Sequence, residues 1–131
     1  MFIEIIPYLY IGSSCNENDF NIIINCHKPC LFLQKYNNHR LTGEIRVKDY
    51  EYLDELTSYI YKNIINHKSV ILLSKNASQF NFTVMCVYLI KYGKLKIKDI
   101  LVNLKSKMDI NFTKLTYLDI FYKFEKNFLS L

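Results

Sequence analysis

Cysteine and histidine side chains lie close together in one short segment of the 131-residue sequence. Cys26-His27-Lys28-Pro29-Cys30, followed by His39, offers thiol and imidazole groups of the kind that bind zinc. A structural zinc site needs four ligands, usually from two paired motifs, and this segment supplies one imperfect pair. Because Cys26 also ends the apolar run Ile22-Ile23-Ile24, we expect its thiol to pack in the core as a small apolar group. We expect no bound metal or other cofactor.

A polar loop at residues 74–79 is the second candidate for chemistry. It follows the apolar run Val70-Ile71-Leu72-Leu73 and precedes a strongly apolar segment. A loop between a strand and the N-terminus of a helix presents backbone N–H groups and the positive end of the helix dipole, which together can bind an anion. Many α/β domains contain this arrangement, so by itself it is a weak signal.

The apolar pattern of the first half predicts strands. They are Phe2–Ile6, 9–11, Ile22–Asn25, 31–33 and 44–47, with breaks at Gly12, Pro29 and Asn37-Asn38. The period then changes, because Leu53, Leu56, Ile60 and Ile64 recur at helical spacing, which predicts a helix beginning near Tyr50.

The second half predicts one more strand and three helices. Four consecutive apolar residues, Val70–Leu73, indicate a central strand buried on both faces. The helices are expected over 81–92, closed by Gly93 as a C-cap, over 97–107, and over 113–128 with Asn111 as a cap. This order of elements predicts one α/β domain, 1–131, with a mixed central sheet flanked by helices.

Four segments in sequence order resemble the dual-specificity (cysteine-based) protein phosphatases. Ile6-Pro7-Tyr8-Leu9-Tyr10-Ile11-Gly12 is similar to the family's opening I-x-P-x-L-Y-L-G, and Ile22-Ile23-Ile24-Asn25-Cys26 to its strand I-x-x-I-L-N-V. Ile45-Arg46-Val47-Lys48-Asp49 resembles the I-P-V-x-D segment that carries the general acid. Val70 to Ser74, then Thr83 and Val87 to Ile90, are in register with V-L-V-H-C-x5-R-S-x-T-x-x-x-A-Y-L-M. The resemblance implies this family's fold; an unrelated α/β domain with an accidental match is the alternative.

The chemistry-bearing positions of that family are replaced here. The replacements are Leu73-Ser74 for the His-Cys pair, Ala77 for the loop glycine, Phe80 for the loop arginine and Asn81 for the following Ser/Thr, while Asp49 alone is retained. The family reaction needs a thiolate nucleophile, and the hydroxyl of Ser74 is far less acidic. It also needs the bidentate arginine clamp on phosphoryl oxygens, and Phe80 has no donor and no charge. The resemblance therefore implies an inactive relative, a pseudophosphatase that works by binding another protein.

Two other functions remain open at this stage. The remnant of the phosphate loop, residues Ser74, Lys75, Asn76, Ala77, Ser78, Gln79 and Phe80, could bind phosphate through its amides and Lys75 without hydrolysis. An enzyme of different chemistry would need Asp49 and a histidine, yet His27, His39 and His67 all lie outside the loop. For Asp49 the simpler interpretation is a cap on the helix that begins near Tyr50.

Aromatic residues cover much of the predicted last helix. Leu115, Leu118, Tyr122 and Leu129 form one apolar stripe, and Tyr117, Ile120, Phe121, Phe124 and Phe128 form another. Either this helix is wedged deeply into the domain, or Tyr117, Phe121, Phe124 and Phe128 form a surface that a partner or a second subunit covers. The sequence leaves both interpretations open, and a homodimer is one form of the second.

The amino-acid composition indicates the type of genome, the kinds of partner and the cellular location to expect. The net charge is +5, with fifteen lysines, two arginines and many Asn, Ile, Tyr and Phe residues, as expected from an AT-rich genome such as that of a large, poxvirus-like DNA virus. The lysines are spread out, which argues against nucleic-acid binding. No run approaches the roughly 20 apolar residues of a membrane span. No secretion signal accompanies Cys15, Cys26, Cys30 and Cys86, so we expect thiols and a cytoplasmic location, in the host cell if the protein is viral.

Overall fold

The structure is a computed structural model that describes residues 2–26, 32–34, 50–74, 80–105 and 118–129. Two compact units make up the chain, Met1–Met85 and Cys86–Leu131, and the boundary between them falls inside a helix. The prediction that residues 1–131 form one domain therefore stays a prediction. No helix in the described ranges is long and apolar enough to cross a membrane.

A five-stranded mixed sheet forms the centre of the first unit, and it confirms the predicted α/β class. In spatial order its strands are β1 (Phe2–Ile6), β2 (Leu9–Gly12), β5 (Val70–Leu73), β3 (Ile22–Asn25) and β4 (Phe32–Gln34). β5 pairs in parallel with β2 and β3, while the β1–β2 and β3–β4 pairs are antiparallel. The strand expected over 31–33 lies one residue later, and the one expected over 44–47 is outside the described residues.

The composition of β5 explains its central position. All four of its residues are buried, as predicted for a strand with both faces covered. Residues alternate between the faces of a strand, so Ile71 lies beside Tyr10 and Ile23 on one face. Phe20 packs on that face, where its ring lies 5.0 Å from the ring of Tyr10. A four-residue strand without a polar side chain would be unstable at an edge of the sheet.

Helix α1 (Tyr50–Ile65) packs against β5 and confirms the predicted helical period. Its buried residues are Tyr52, Leu53, Leu56, Thr57 and Ile60. The Thr57 hydroxyl donates to the carbonyl of Leu53 at 2.7 Å, which satisfies this buried polar group within the helix. The helix ends at Ile65, which is exposed, so the buried face of the helix does not extend to its last residue.

The second unit is helical in the residues that the structure describes. Helix α2 (Phe80–Gly93) begins in the first unit and continues into the second, where α3 (Ile97–Lys105) and α4 (Leu118–Phe128) contact each other. The carboxylate of Glu125 on α4 accepts the N–H of Ile97 at 2.7 Å, which satisfies the first amide of α3. Residues 106–117, including the predicted cap Asn111, are outside the described part.

The left-handed residue at the end of α2 differs from the prediction by one position. Gly93 lies within the helix, and the left-handed residue that follows it is Lys94, with a φ of 56°. The N–H of Leu95 then donates to the carbonyl of Leu89 at 3.3 Å. The helix thus ends at Gly93, as predicted, but the left-handed residue is Lys94, whose ammonium group donates to the carbonyl of Phe128 at 3.3 Å, a contact distant in sequence.

Replacing Gly93 with alanine should therefore stabilise the protein. A Cβ at this position meets its nearest neighbour, the Leu95 side chain, at 3.6 Å, an ordinary contact. We expect Gly93→Ala to raise the free energy of unfolding by about 0.5–1 kcal/mol, measured by urea denaturation, because alanine loses less backbone entropy in a helix. Lys96→Ala, an exposed change outside the helices, should stay within about 0.5 kcal/mol of the wild type. A destabilised Gly93→Ala variant would contradict the helical backbone at this residue.

Candidate functional site at the carboxyl edge of the sheet

The carboxyl ends of the three parallel strands meet at one edge of the sheet. Gly12, Leu73 and Asn25 end β2, β5 and β3 and are aligned side by side. The pairing continues one step further, because the N–H of Ser74 donates to the Gly12 carbonyl at 3.0 Å and the N–H of Cys26 donates to the Leu73 carbonyl at 2.6 Å. This edge is where ligands bind in open α/β sheets, and Ser74, the first residue of the predicted loop, lies there.

Ser74, the residue in register with the family's nucleophile, is part of a network of hydrogen bonds at this edge. Only 4% of its surface is exposed. Its hydroxyl donates to the carbonyl of Cys26 at 2.7 Å and accepts the N–H of Asn81 at 3.4 Å. The hydroxyl thus joins the end of β3, the end of β5 and the start of α2, and its proton is directed at a backbone carbonyl.

Asn81, in register with the Ser/Thr that follows the family's arginine, completes the network. Its amide nitrogen is 3.3 Å from both the Gly12 carbonyl and the Leu72 carbonyl. Its side-chain oxygen accepts the N–H of Phe82 at 2.7 Å. One buried side chain therefore satisfies carbonyls of β2 and β5 and an amide of α2, so the strands and the helix are held together without a ligand. We call Ser74, Asn81 and these backbone groups the edge network.

The edge network changes what the N-terminus of α2 can bind. The first amides of a helix have no partner within the helix and are the groups that hold an anion. Here the N–H of Asn81 points at the Ser74 hydroxyl and the N–H of Phe82 at the Asn81 side chain. Two amides that could have held a phosphate are thus already paired within the protein.

The buried thiol nearest the network is that of Cys26. Burial raises the pKa of Cys26 above its ordinary value, because the protein interior disfavours the thiolate. Burial is also the main cause of the raised pKa of Tyr52, a residue of α1, and a thiolate at Cys26 would raise it further. Both groups stay protonated at neutral pH. Cys26 is completely buried, as predicted from the sequence, and Cys86 is buried as well.

Several predicted site residues lie outside the described residues. They are Asp49, Lys75, Asn76, Ala77, Ser78 and Gln79 of the phosphatase-like positions, His27, Cys30 and His39 of the metal-like cluster, and Tyr117 of the aromatic stripe. Phe80 is the first residue of α2. Within the described residues, no group of three or more His, Cys, Asp or Glu side chains is placed to hold a metal ion.

The described histidine, His67, lies at the opposite end of β5. Its Nδ1 is 3.2 Å from the Tyr8 hydroxyl, and Tyr8 accepts the N–H of Val70, the first residue of β5, through its backbone carbonyl. Both Tyr8 and His67 have left-handed backbones, with φ of 73° and 60°. The distance along β5 separates His67 from Ser74, so the two cannot form a nucleophile and base pair.

The sequence left open whether the aromatic residues of the last helix are buried or form a surface, and two of them are buried. Phe121 and Phe124 are 0% exposed, because they occupy the buried face of α4 at a spacing of three residues. Phe128 is half-buried, and its ring stacks on that of Phe124 at 6.0 Å. The exposed aromatic residue of α4 is Tyr122, at 55%, which the sequence had assigned to the other stripe. Apolar periodicity could not tell which of two stripes faces the protein.

In comparisons with models of protein families and with characterised proteins, the chain matched none of them.

The Ser74 hydroxyl should stabilise the fold. We expect Ser74→Ala to lower the free energy of unfolding by about 1–3 kcal/mol in urea denaturation, because it removes the partner of the Cys26 carbonyl and of the Asn81 amide. Ser58→Ala is the matched control, since its hydroxyl donates to the Asp54 carbonyl within α1 and should cost less than about 0.5 kcal/mol. Equal losses in the two variants would show that the edge network has no special role.

The Cys26 thiol should be nearly inert in the folded protein. Its raised pKa lowers the thiolate fraction, and burial excludes reagents, so at pH 8 iodoacetamide should modify Cys26 at least about 100-fold more slowly than the half-buried Cys15. Peptide mass spectrometry resolves each site, and the difference should vanish in denaturant.

The same shift predicts how stability depends on pH. Above the ordinary value of 9.0 the unfolded chain loses the Cys26 proton while the folded chain keeps it, so stability should fall as the pH rises past about 9.

For the alkylation experiment, a Cys26 thiol that iodoacetamide modifies as fast as the Cys15 thiol would contradict the placement of Cys26 in the core.

Proposed function

We propose that this protein is a catalytically inactive domain resembling the dual-specificity phosphatases, and that it acts by binding another protein. The observation that carries the proposal is the hydrogen bond from the Ser74 hydroxyl to the Cys26 carbonyl at 2.7 Å. The group at the nucleophile position is thereby part of the scaffold. The resemblance in sequence supplies the family, and the edge network supplies the physical reason for inactivity.

Nucleophilic attack by Ser74 would require two changes at once. The hydroxyl would have to leave the Cys26 carbonyl, which would bury an unsatisfied acceptor at a cost of about 1–3 kcal/mol. It would also need a base to take its proton, since a free hydroxyl is a weak nucleophile. A carbonyl accepts a hydrogen bond but does not remove a proton. The described hydrogen bonds of the Ser74 hydroxyl join it to a backbone carbonyl and a backbone amide, and neither group is a general base.

Loss of phosphate binding follows from the same contacts. In the related family a phosphate is held by loop amides and by an arginine. Phe80 occupies the arginine position in the sequence, and the amides of Asn81 and Phe82 are paired internally. A phosphate dianion at this edge would have to displace those pairs with no guanidinium to compensate. This supports an inactive binding domain over a reader of phosphorylated residues.

Binding of another protein is the activity that an intact scaffold without this chemistry retains. Exposed apolar side chains are present on two helices of the second unit, at Val102 on α3 and Tyr122 on α4. Tyrosine is enriched at protein interfaces because it combines a large apolar ring with a polar tip.

Hydrolysis of an aryl phosphate tests the proposal. We expect no activity above that of Ser74→Ala, and we expect Ser74→Cys to remain inactive, because the arginine position still carries Phe80 and the loss of one clamp donor alone commonly costs about 10²–10³ in rate. Ser58→Cys, which places the same thiol on α1 outside the edge network, is the matched control. Circular dichroism confirms that each variant is folded.

Two results would contradict the proposal. Hydrolysis that Ser74→Ala abolishes would show a working nucleophile, and recovery by Ser74→Cys alone would show that the loop still binds phosphate productively. Isothermal titration with phosphotyrosine and phosphothreonine peptides separates the alternative function. Phosphate-dependent binding below 1 mM (roughly 4 kcal/mol) would favour a reader.

A further inference from the structure

We propose that the partner binds through an acidic segment to a basic surface of the second unit. This surface consists of the lysine-rich turn between α2 and α3, with Lys94, Lys96 and Lys98, and of the exposed side of α4, with Tyr122 and Lys126. The inference rests on the proposed function, because it names the chemistry of the partner, but it uses none of the residues of the edge network.

Charge is distributed unequally between the two units. Residues Met1–Met85 carry eight acidic residues and eight lysines or arginines, whereas Cys86–Leu131 carry nine lysines and four acidic residues. The formal charges are therefore 0 and +5 for the two units. A general excess of lysine from codon bias would raise the charge of both units alike. The basic surface is thus a local feature, and a field of one sign attracts partners of the opposite sign.

The lysine-rich turn has a defined conformation. Lys94 takes a left-handed backbone, and its ammonium group donates to the carbonyl of Phe128 at the end of α4. The same ammonium lies 5.8 Å from the centre of the Phe128 ring. The turn is therefore held beside the C-terminal end of α4, where Lys126 is exposed. Lys96 and Lys98, which follow Lys94 in the sequence, are also exposed.

The acidic residue closest to the turn does not neutralise it. The carboxylate of Glu125 accepts the N–H of Ile97 and is half-buried at the start of α3. Asp99 lies in the first turn of α3, where the helix dipole favours a negative charge. Both acids thus lie near the N-terminus of α3, which favours negative charge, and Lys94, Lys96 and Lys98 outnumber them around the turn.

Apolar side chains between the lysines favour a peptide over a nucleic acid. Leu95 lies between Lys94 and Lys96 and is 37% exposed, and Tyr122 precedes the lysines of α4. A peptide that alternates carboxylates with apolar residues can contact both kinds of group. A phosphate backbone would contact only the lysines, and the described part of this unit has no arginine for base recognition.

Binding of synthetic probes tests the surface. The probe is a fluorescein-labelled 16-residue peptide of four Glu-Glu-Leu-Gly repeats, with Gln-Gln-Leu-Gly repeats as the neutral match, measured by fluorescence anisotropy. We expect submillimolar binding of the acidic peptide at about 50 mM salt, weakened by about tenfold at about 300 mM salt, since the attraction between exposed charges is screened. The neutral peptide should bind at least about tenfold more weakly.

Charge-reversal variants locate the site. Lys96→Glu/Lys98→Glu should weaken binding of the acidic peptide by about tenfold or more, because two attractive contacts become repulsive. Lys62→Glu/Lys68→Glu changes the net charge by the same amount but alters exposed lysines of the first unit, so it should change the affinity by less than about threefold. Neither pair contacts the edge network.

Four outcomes would overturn this inference. They are no binding of the acidic peptide at low salt, equal losses in the two double variants, tighter binding of a 20-nucleotide single-stranded RNA than of the peptide, and self-association in sedimentation that the peptide does not reverse. Each leaves the absence of phosphatase activity untouched. Conversely, an active phosphatase would contradict the proposed function while the peptide measurements still stood.

Discussion

The hydrogen bond between the Ser74 hydroxyl and the Cys26 carbonyl is the contact on which the described edge of the sheet depends. Parallel strands end with carbonyl groups that need partners, and Leu73 and Ser74 at this edge are buried from water. In a site that binds an anion, the loop amides face the ligand and other groups must satisfy the strand ends. Here the Ser74 hydroxyl and the Asn81 side-chain amide donate hydrogen bonds to carbonyls at the strand ends. Their oxygens also accept hydrogen bonds from the first backbone N–H groups of α2. The same polar groups cannot serve both arrangements.

That constraint is the physical basis of the inactivity that we propose. A buried network of this kind stabilises a structure only when every member is paired, and it then holds its members in one geometry. The Ser74 hydroxyl cannot turn toward a substrate without exposing the Cys26 carbonyl and the Asn81 amide. The neighbouring thiol is protonated, because burial raises the pKa of Cys26. The edge therefore has the position of an active site and the polar groups of a structural core.

Hydrogen bonds and aromatic contacts within the second unit fix the positions of several of its charged side chains. Glu125 satisfies the first amide of α3, and Lys94 satisfies a carbonyl at the end of α4. Lys91, although buried, lies 4.9 Å from the centre of the Tyr92 ring and 5.3 Å from that of Phe128, so aromatic faces stabilise its charge. Lys96, Lys98 and Lys126 are exposed. The basic surface is thus a consequence of how the helices satisfy their own ends.

Local pattern in the sequence was sufficient to predict β5, α1, α2 and the α/β class, because periodicity and runs of apolar residues act over a few residues. Contacts between distant residues decided the rest. Ser74 and Cys26 are 48 positions apart, and no local pattern predicts that their groups meet. The left-handed residue after α2 is Lys94 rather than the glycine, and its ammonium group contacts Phe128, 34 positions away. The burial of Phe121 and Phe124 likewise depended on which side of α4 faces the protein, since both of its stripes were apolar in the sequence. The sequence by itself determined that Ser74 and Phe80 stand where the resembled family has its nucleophile and its arginine. The tertiary structure decided that the Ser74 hydroxyl satisfies backbone groups, because its partner at Cys26 is distant in sequence.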